Sequence, residues 1–169
     1  LNLLGTGSIT SNGIYIDATN TSLNTTGSYS LNSACDFFYD LNIVKGSLST
    51  NNYNVTANQL IVSTSETCSL TCGASTINAV ILFNSGLNFT FNAGTSTIIG
   101  AIINTYSTPR TFYNATFSSD SNQVIGTNTF NNITITTNRI IFGGTTTVNG
   151  VLTASSGTTT TPKVWTSSN

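Results

Sequence analysis

Apolar residues along this chain recur at every second position, in short runs of about four to seven residues bounded by Gly, Asn and Ser. A period of two is the signature of strands with one buried face, and no window shows the three-and-four spacing of an amphipathic helix. The runs are rich in Thr, Ile, Val, Phe and Tyr, whereas Met is absent and Glu occurs once. These residues favour extended backbone, and too few good helix formers remain to nucleate a helix. The chain is predicted to be all-β.

The alternation is clearest in a recurring phrase, an acidic or amide residue followed by apolar, small polar, apolar. It occurs as Asp40-Leu41-Asn42-Ile43, Asn54-Val55-Thr56-Ala57, Asn88-Phe89-Thr90-Phe91, Asn114-Ala115-Thr116-Phe117 and Asn132-Ile133-Thr134-Ile135, at uneven steps. The step from Asp40 to Asn54 is the shortest and that from Asn54 to Asn88 the longest. Continuing the alternation backwards from the first copy puts Phe38, Asp40 and Asn42 on one face of a strand and Tyr39, Leu41 and Ile43 on the other. A second phrase, Gly73-Ala74-Ser75-Thr76-Ile77, returns as Gly94-Thr95-Ser96-Thr97-Ile98. A period near 20 points to coils stacked on coils.

Turns are marked by Ser11-Asn12-Gly13, Asn84-Ser85-Gly86, Asn92-Ala93-Gly94, Phe142-Gly143-Gly144 and Asn149-Gly150. The predicted fold is therefore a parallel β-solenoid with irregular coils. The alternative is an antiparallel β-sandwich, in which the Asn-Gly pairs would close two-residue hairpins. The solenoid is preferred because stacking in register lets Asn, Thr and Ser side chains satisfy one another from coil to coil. Residues 1–35 show less of the pattern and read as an irregular leading segment, and 36–169 as the repeats of a rod that continues beyond this chain. At about 4.8 Å per coil, roughly eight coils would make a rod about 40 Å long. Leu41, Ile43, Val55, Ile77, Ile98, Ile102, Phe117, Ile133, Ile135 and Val148 are the expected core.

Composition narrows the function. Of 169 residues, 33 are Thr, 22 Ser and 23 Asn, while nine are charged and none is His. The net charge of −1 with 38% apolar residues is not the signature of disorder, which combines low hydrophobicity with high charge. Four scattered cations, Lys45, Arg110, Arg139 and Lys163, make no basic face, so no nucleic acid is expected as a partner. The longest apolar runs, 79–83 and 101–103, fall far short of the ~20 residues of a membrane span. The chain begins without a Met or a signal-type stretch, which reads as a start removed by processing or excision.

The phrases at 38–43, 91–98, 129–135 and 147–153 resemble those of large repetitive β-rich proteins of phage virions, such as tail and fibre proteins, and of bacterial surface adhesins. The resemblance covers roughly residues 36–169 and is one of repeat style, with no catalytic signature in it. It implies a virion, extracellular or cell-surface location and a structural role supporting attachment to a host surface. It also implies a homo-oligomer, a trimer being the usual fibre symmetry, and a surface glycan or receptor as partner.

Candidate chemistry is sparse. Cys35, Cys68 and Cys72 are an odd number of thiols, and Cys68 and Cys72 would lie about 13 Å apart within one extended strand, beyond disulfide reach. Buried reduced thiols acting as small apolar residues are expected. Three Cys without His do not complete a zinc site, so no metal and no cofactor are expected. The nearest carboxylate pair, Asp36 and Asp40, could in principle flank a glycosidic bond, but it reads as strand-edge solvation, as do the isolated Glu66 and Asp120. A Ser or Cys nucleophile lacks its usual base, and Gly143-Gly144 is not followed by the Lys of a phosphate loop. No catalytic residue is assigned.

Other features weigh little. Six Asn-X-Ser/Thr triplets, at Asn20, Asn24, Asn54, Asn88, Asn114 and Asn132, are what chance gives in so Asn- and Thr-rich a chain. Threonine runs at 145–147 and 158–161 reflect strand preference rather than an ice-binding array, since no Thr-x-Thr recurs once per coil. Tyr15, Tyr29, Tyr53, Tyr106 and Trp165 could stack on sugar rings. The expected function is a non-enzymatic structural module of a virion appendage or extracellular fibre. The rivals are a self-polymerising, pilin-like filament subunit donating residues 1–4 or 9–16 to a neighbour, and a polysaccharide-cleaving enzyme.

Overall fold

The computed structural model describes residues 1–62, 65–84, 88–105, 108–155 and 164–168, the last stretch by its backbone alone. Among these residues there is no helix, and every strand pairing is parallel. The chain is a β-solenoid of about seven turns. The steps between paired positions are uneven, for example 17 residues from Ile98 to Ala115, 21 from Ile77 to Ile98 and 22 from Val55 to Ile77. The Asn-Gly pairs close no hairpin, and the sandwich alternative falls with them.

Each coil visits three ladders in turn. The first face stacks Asn2–Leu3, 20–24, 40–45, 59–62, 80–83, Ile102–Asn104, Gln123–Ile125, Arg139–Gly143 and Val164–Ser168. The second stacks Gly7–Ile9, 28–31, 46–49, Cys68–Thr71 and Phe89–Asn92, and then, after a break, 110–112, 128–130 and Thr146–Val148. The third runs from Tyr15–Ile16 through Cys35–Phe37, 55–57, 76–78, Thr97–Ile99, 114–117 and 132–135 to Leu152–Ala154. Residues 1–35 thus stand in the same ladders as the repeats.

The alternating phrase marks the beginning of a run on any of the three faces, within a continuous strand at Asn114 and Asn132, which is why its spacing is irregular. Its copy at Asp40 lies on the first face, that at Asn88 on the second, and those at Asn54, Asn114 and Asn132 on the third. The glycine-led phrase is the true coil repeat, for Thr76 and Ile77 pair with Thr97 and Ile98.

Inside, like residues pile on like, as in Leu41–Leu60–Ile81–Ile102–Val124. Of the ten expected core residues nine are buried, and Val148 packs against the core half-exposed. Each buried aliphatic or aromatic side chain contributes about 1.5–3 kcal/mol, as an upper estimate. Phe38 and Tyr39 depart from simple alternation: both are exposed, because the strand begins only at Asp40 and the two rings sit on the bend before it.

Outside, hydrogen-bonded side chains climb the stack. On the third face Asn132 Nδ2 donates to Asn114 Oδ1 at 2.9 Å, and Asn54 Oδ1 and Asn132 Oδ1 each accept a backbone N–H of the next coil at 2.9 Å. Amides and hydroxyls therefore replace charge as the surface chemistry.

The corner between the second and third faces explains the glycine phrase. Gly73 and Gly94 both adopt left-handed φ, +58° and +57°, and a Cβ on Gly94 would lie 2.4 Å from the carbonyl oxygen of Gly73 beneath it. Only glycine meets both demands. Above this corner the coil changes. Ile77 stacks under Ile98 and Ile98 under Ala115, yet the second interval is four positions shorter than the first. The turn at 93–96 has no counterpart in the next coil, where Arg110–Phe117 bends directly from the second face to the third. A new turn at 118–122 then restores the first-face register, pairing Val124 with Ile102. The coil above, from Ala115 to Ile133, is again a short one.

Candidate functional site

The wide and narrow coils meet at a step on the second face. Among the described residues no strand pairing joins Phe89–Asn92 to 110–113, although both neighbouring ladders are continuous at this level. The interior is filled there by Phe83, Phe89, Phe91, Phe112 and Phe130, with Phe83–Phe89 centroids 4.9 Å apart, Phe91–Phe112 5.1 Å and Phe112–Phe130 5.2 Å. Arg110 reaches across from within: it is 6% exposed, its guanidinium lies 4.7 Å from the Phe89 ring centroid, and Nη1 donates to the Phe89 carbonyl at 3.0 Å. Burial lowers its pKa from the usual guanidinium value.

The step opens outward as a cleft of about 330 Å³. Its floor is Phe91, which occupies an inward-facing register position above Leu70 yet is half-buried because the gap opens onto it. Phe112 lies behind it. Gly94 and Asn92 form the ledge, Tyr113 and Thr111 the wall, and Asn131 and Asn149 the upper rim. Tyr113 is 38% exposed. Asn92 Oδ1 accepts the Gly94 N–H at 3.0 Å, whereas the side-chain amides of Asn131 and Asn149 make no hydrogen bond with the described residues. None of the described residues that line the cleft is charged.

The candidates read from the sequence lie elsewhere. Asp36 stands on the outside of the third face between Tyr15 and Thr56, in a second cleft of about 290 Å³ in which it is the one carboxylate among the lining residues. Asp40 begins a first-face strand and accepts a hydrogen bond from Asn58 at 3.0 Å. Glu66 pairs with Lys45 at 3.0 Å. Asp120 accepts from the Thr137 hydroxyl and from the backbone N–H groups of Asn138 and Arg139, so it clasps one corner turn to the next; the Thr137 bond, foremost, holds its pKa below the usual carboxylate value.

The three cysteines are buried and unbridged. Cys68 faces inward on the second face, between Gly46 and Phe89 in its ladder, and Cys72 is buried just past the end of that strand. Burial raises all three thiol pKa values, that of Cys72 to about 12. Among the described residues no three His, Cys, Asp or Glu gather where a metal could be held. Tyr15 and Tyr53 are exposed, and Tyr29 is half-buried with its hydroxyl bonded to the Leu4 carbonyl at 2.9 Å. Tyr106, the side chain of Trp165, residues 85–86 and the run 158–161 lie outside the described residues.

Two surfaces escape a linear reading. The step is one; its only signal is the shortened interval between Ile98 and Ala115. The other is an outward row on the first face, Ile61–Leu82–Ile103–Ile125, which continues the polar row Asn2–Ser22–Asn42 below it. These four apolar side chains are half-buried and flanked by Val80 and Ile141.

Comparison of the chain with protein-family models, with curated proteins and with solved structures finds no match.

Proposed function

We propose that this chain is a non-enzymatic structural module of a virion appendage or extracellular surface fibre, which supports attachment to a host surface. The observation that carries the reading is the stack itself. Two ladders run through the described coils without a break, each coil hydrogen-bonded to the next, with side-chain amides adding a second set of bonds outside. Such an arrangement suits holding one place at a distance from another. The apolar row at Ile61, Leu82, Ile103 and Ile125 favours side-by-side association with a second copy, since matching rungs repeat at the same spacing and carry no charge to repel. The resemblance in repeat style to phage fibre and adhesin proteins agrees with this role.

The pilin-like rival asks residues 1–4 or 9–16 to pair with a neighbour, yet Asn2–Leu3, Gly7–Ile9 and Tyr15–Ile16 lie in the chain's own ladders. Immunogold labelling of intact source particles and cells tests the proposal. Label along an external appendage is the expected result, and label confined to the interior would overturn it. The enzymatic rival has its own assay. Incubation with capsule and cell-wall glycans is expected to release no reducing ends, and release abolished by Asp36→Asn or Asp40→Asn would refute the non-enzymatic reading.

A further inference from the structure

We propose that the step cleft at Phe91, Tyr113, Asn131 and Asn149 is a binding site for one or two rings of a neutral carbohydrate. The inference deepens the attachment role proposed above, on which it rests, by naming what the rod would grip.

Four observations converge. The cleft is the one place on the second face where strand pairing lapses among the described residues, so a gap rather than a sealed ladder meets solvent. Its volume, about 330 Å³, is at the lower end of small-molecule sites, a size that suits a compact ligand. Its floor and wall are aromatic, and a ring such as Tyr113 offers a flat face to the C–H surface of a pyranose. Around these rings the rim carries the unengaged amides of Asn131 and Asn149. Each amide presents both donors and an acceptor, the pairing that a sugar's hydroxyl groups require.

On the third face, by comparison, the amides of Asn114 and Asn132 bond to one another from coil to coil. The described lining carries no charge, which selects against sulfated or uronic sugars, since these would lose their hydration without gaining a cation. Arg110 does not change this, because its guanidinium is held inside against Phe89. An extended peptide adding a strand to the unpaired edge is the competing occupant. The aromatic floor and free amides favour the sugar, since strand addition would draw on backbone groups and leave both amides unused.

A glycan array probed with the labelled full chain, followed by calorimetry with the best-binding trisaccharide, tests the site. Signals confined to neutral glycans are expected, with binding weakened at least tenfold by Tyr113→Ala and by the double change Asn131→Ala, Asn149→Ala. Tyr15→Ala, at the other cleft, should leave binding unchanged and serves as the folded control. No signal on any glycan, signals on acidic glycans alone, or binding indifferent to Tyr113→Ala would overturn the site, as would a peptide-display ligand that occupies it in place of sugar. Each of these outcomes would leave immunogold labelling of the appendage untouched, so the site and the fibre role fail separately.

Discussion

At Gly94 two constraints fall on one atom, the left-handed backbone and the Gly73 carbonyl 2.4 Å from where a Cβ would sit. Gly13 shares the first constraint, with φ +79°, but nothing lies within 4 Å. Gly13→Ala should cost about 1 kcal/mol, the strain of a left-handed alanine, and Gly94→Ala at least about 2 kcal/mol once the clash is added. Urea unfolding of the two variants measures the difference. The cysteines give a second test. Burial raises the Cys72 pKa from the ordinary thiol value of 9.0 to about 12, so the unfolded thiol ionises first as pH rises. Stability from this group is complete below pH 9 and falls between pH 9 and 12. Thiol-specific alkylation near neutral pH should accordingly leave Cys72 unmodified until denaturant is added, and rapid native labelling would contradict its burial.

Strands were legible in the sequence because burial on one face imposes a period of two, which is visible in any single run such as Leu41-Asn42-Ile43. What joins strand to strand was legible only where a whole coil repeats itself, as in the phrases beginning at Gly73 and Gly94. The first-face apolar row was not legible, because its members lie a full coil apart and each is an ordinary β-branched or aliphatic residue within its own strand. Nor was the step, whose cause is a turn that is missing rather than a residue that is present. The apolar row makes its own prediction. Leu82→Asn with Ile103→Asn should leave the circular dichroism spectrum intact, since both side chains point outward, and should lower self-association in sedimentation velocity at matched concentration. Unchanged association would remove this row from the contact between copies.

For the molecule as a whole, the coil is the unit of construction, and it can be taken out only entire. Deleting residues 77–97 brings Ile98 into the register of Ile77 and should give a folded rod shorter by one coil, with an unchanged dichroism profile and a smaller maximum dimension in X-ray scattering. Deleting only 77–96 leaves the register one residue out, which turns inward side chains outward beyond the junction, and should yield a protein of markedly lower melting temperature. The interrupted face carries a mechanical consequence as well. Pulled along its axis, a stack of this kind shares the load among three seams, but between Phe89–Asn92 and 110–113 one seam is unstitched. Rupture should start at that level, parting the rod into a wide-coiled piece and a narrow-coiled piece, and any grip on a ligand lodged there would tighten or fail with the tension the rod bears.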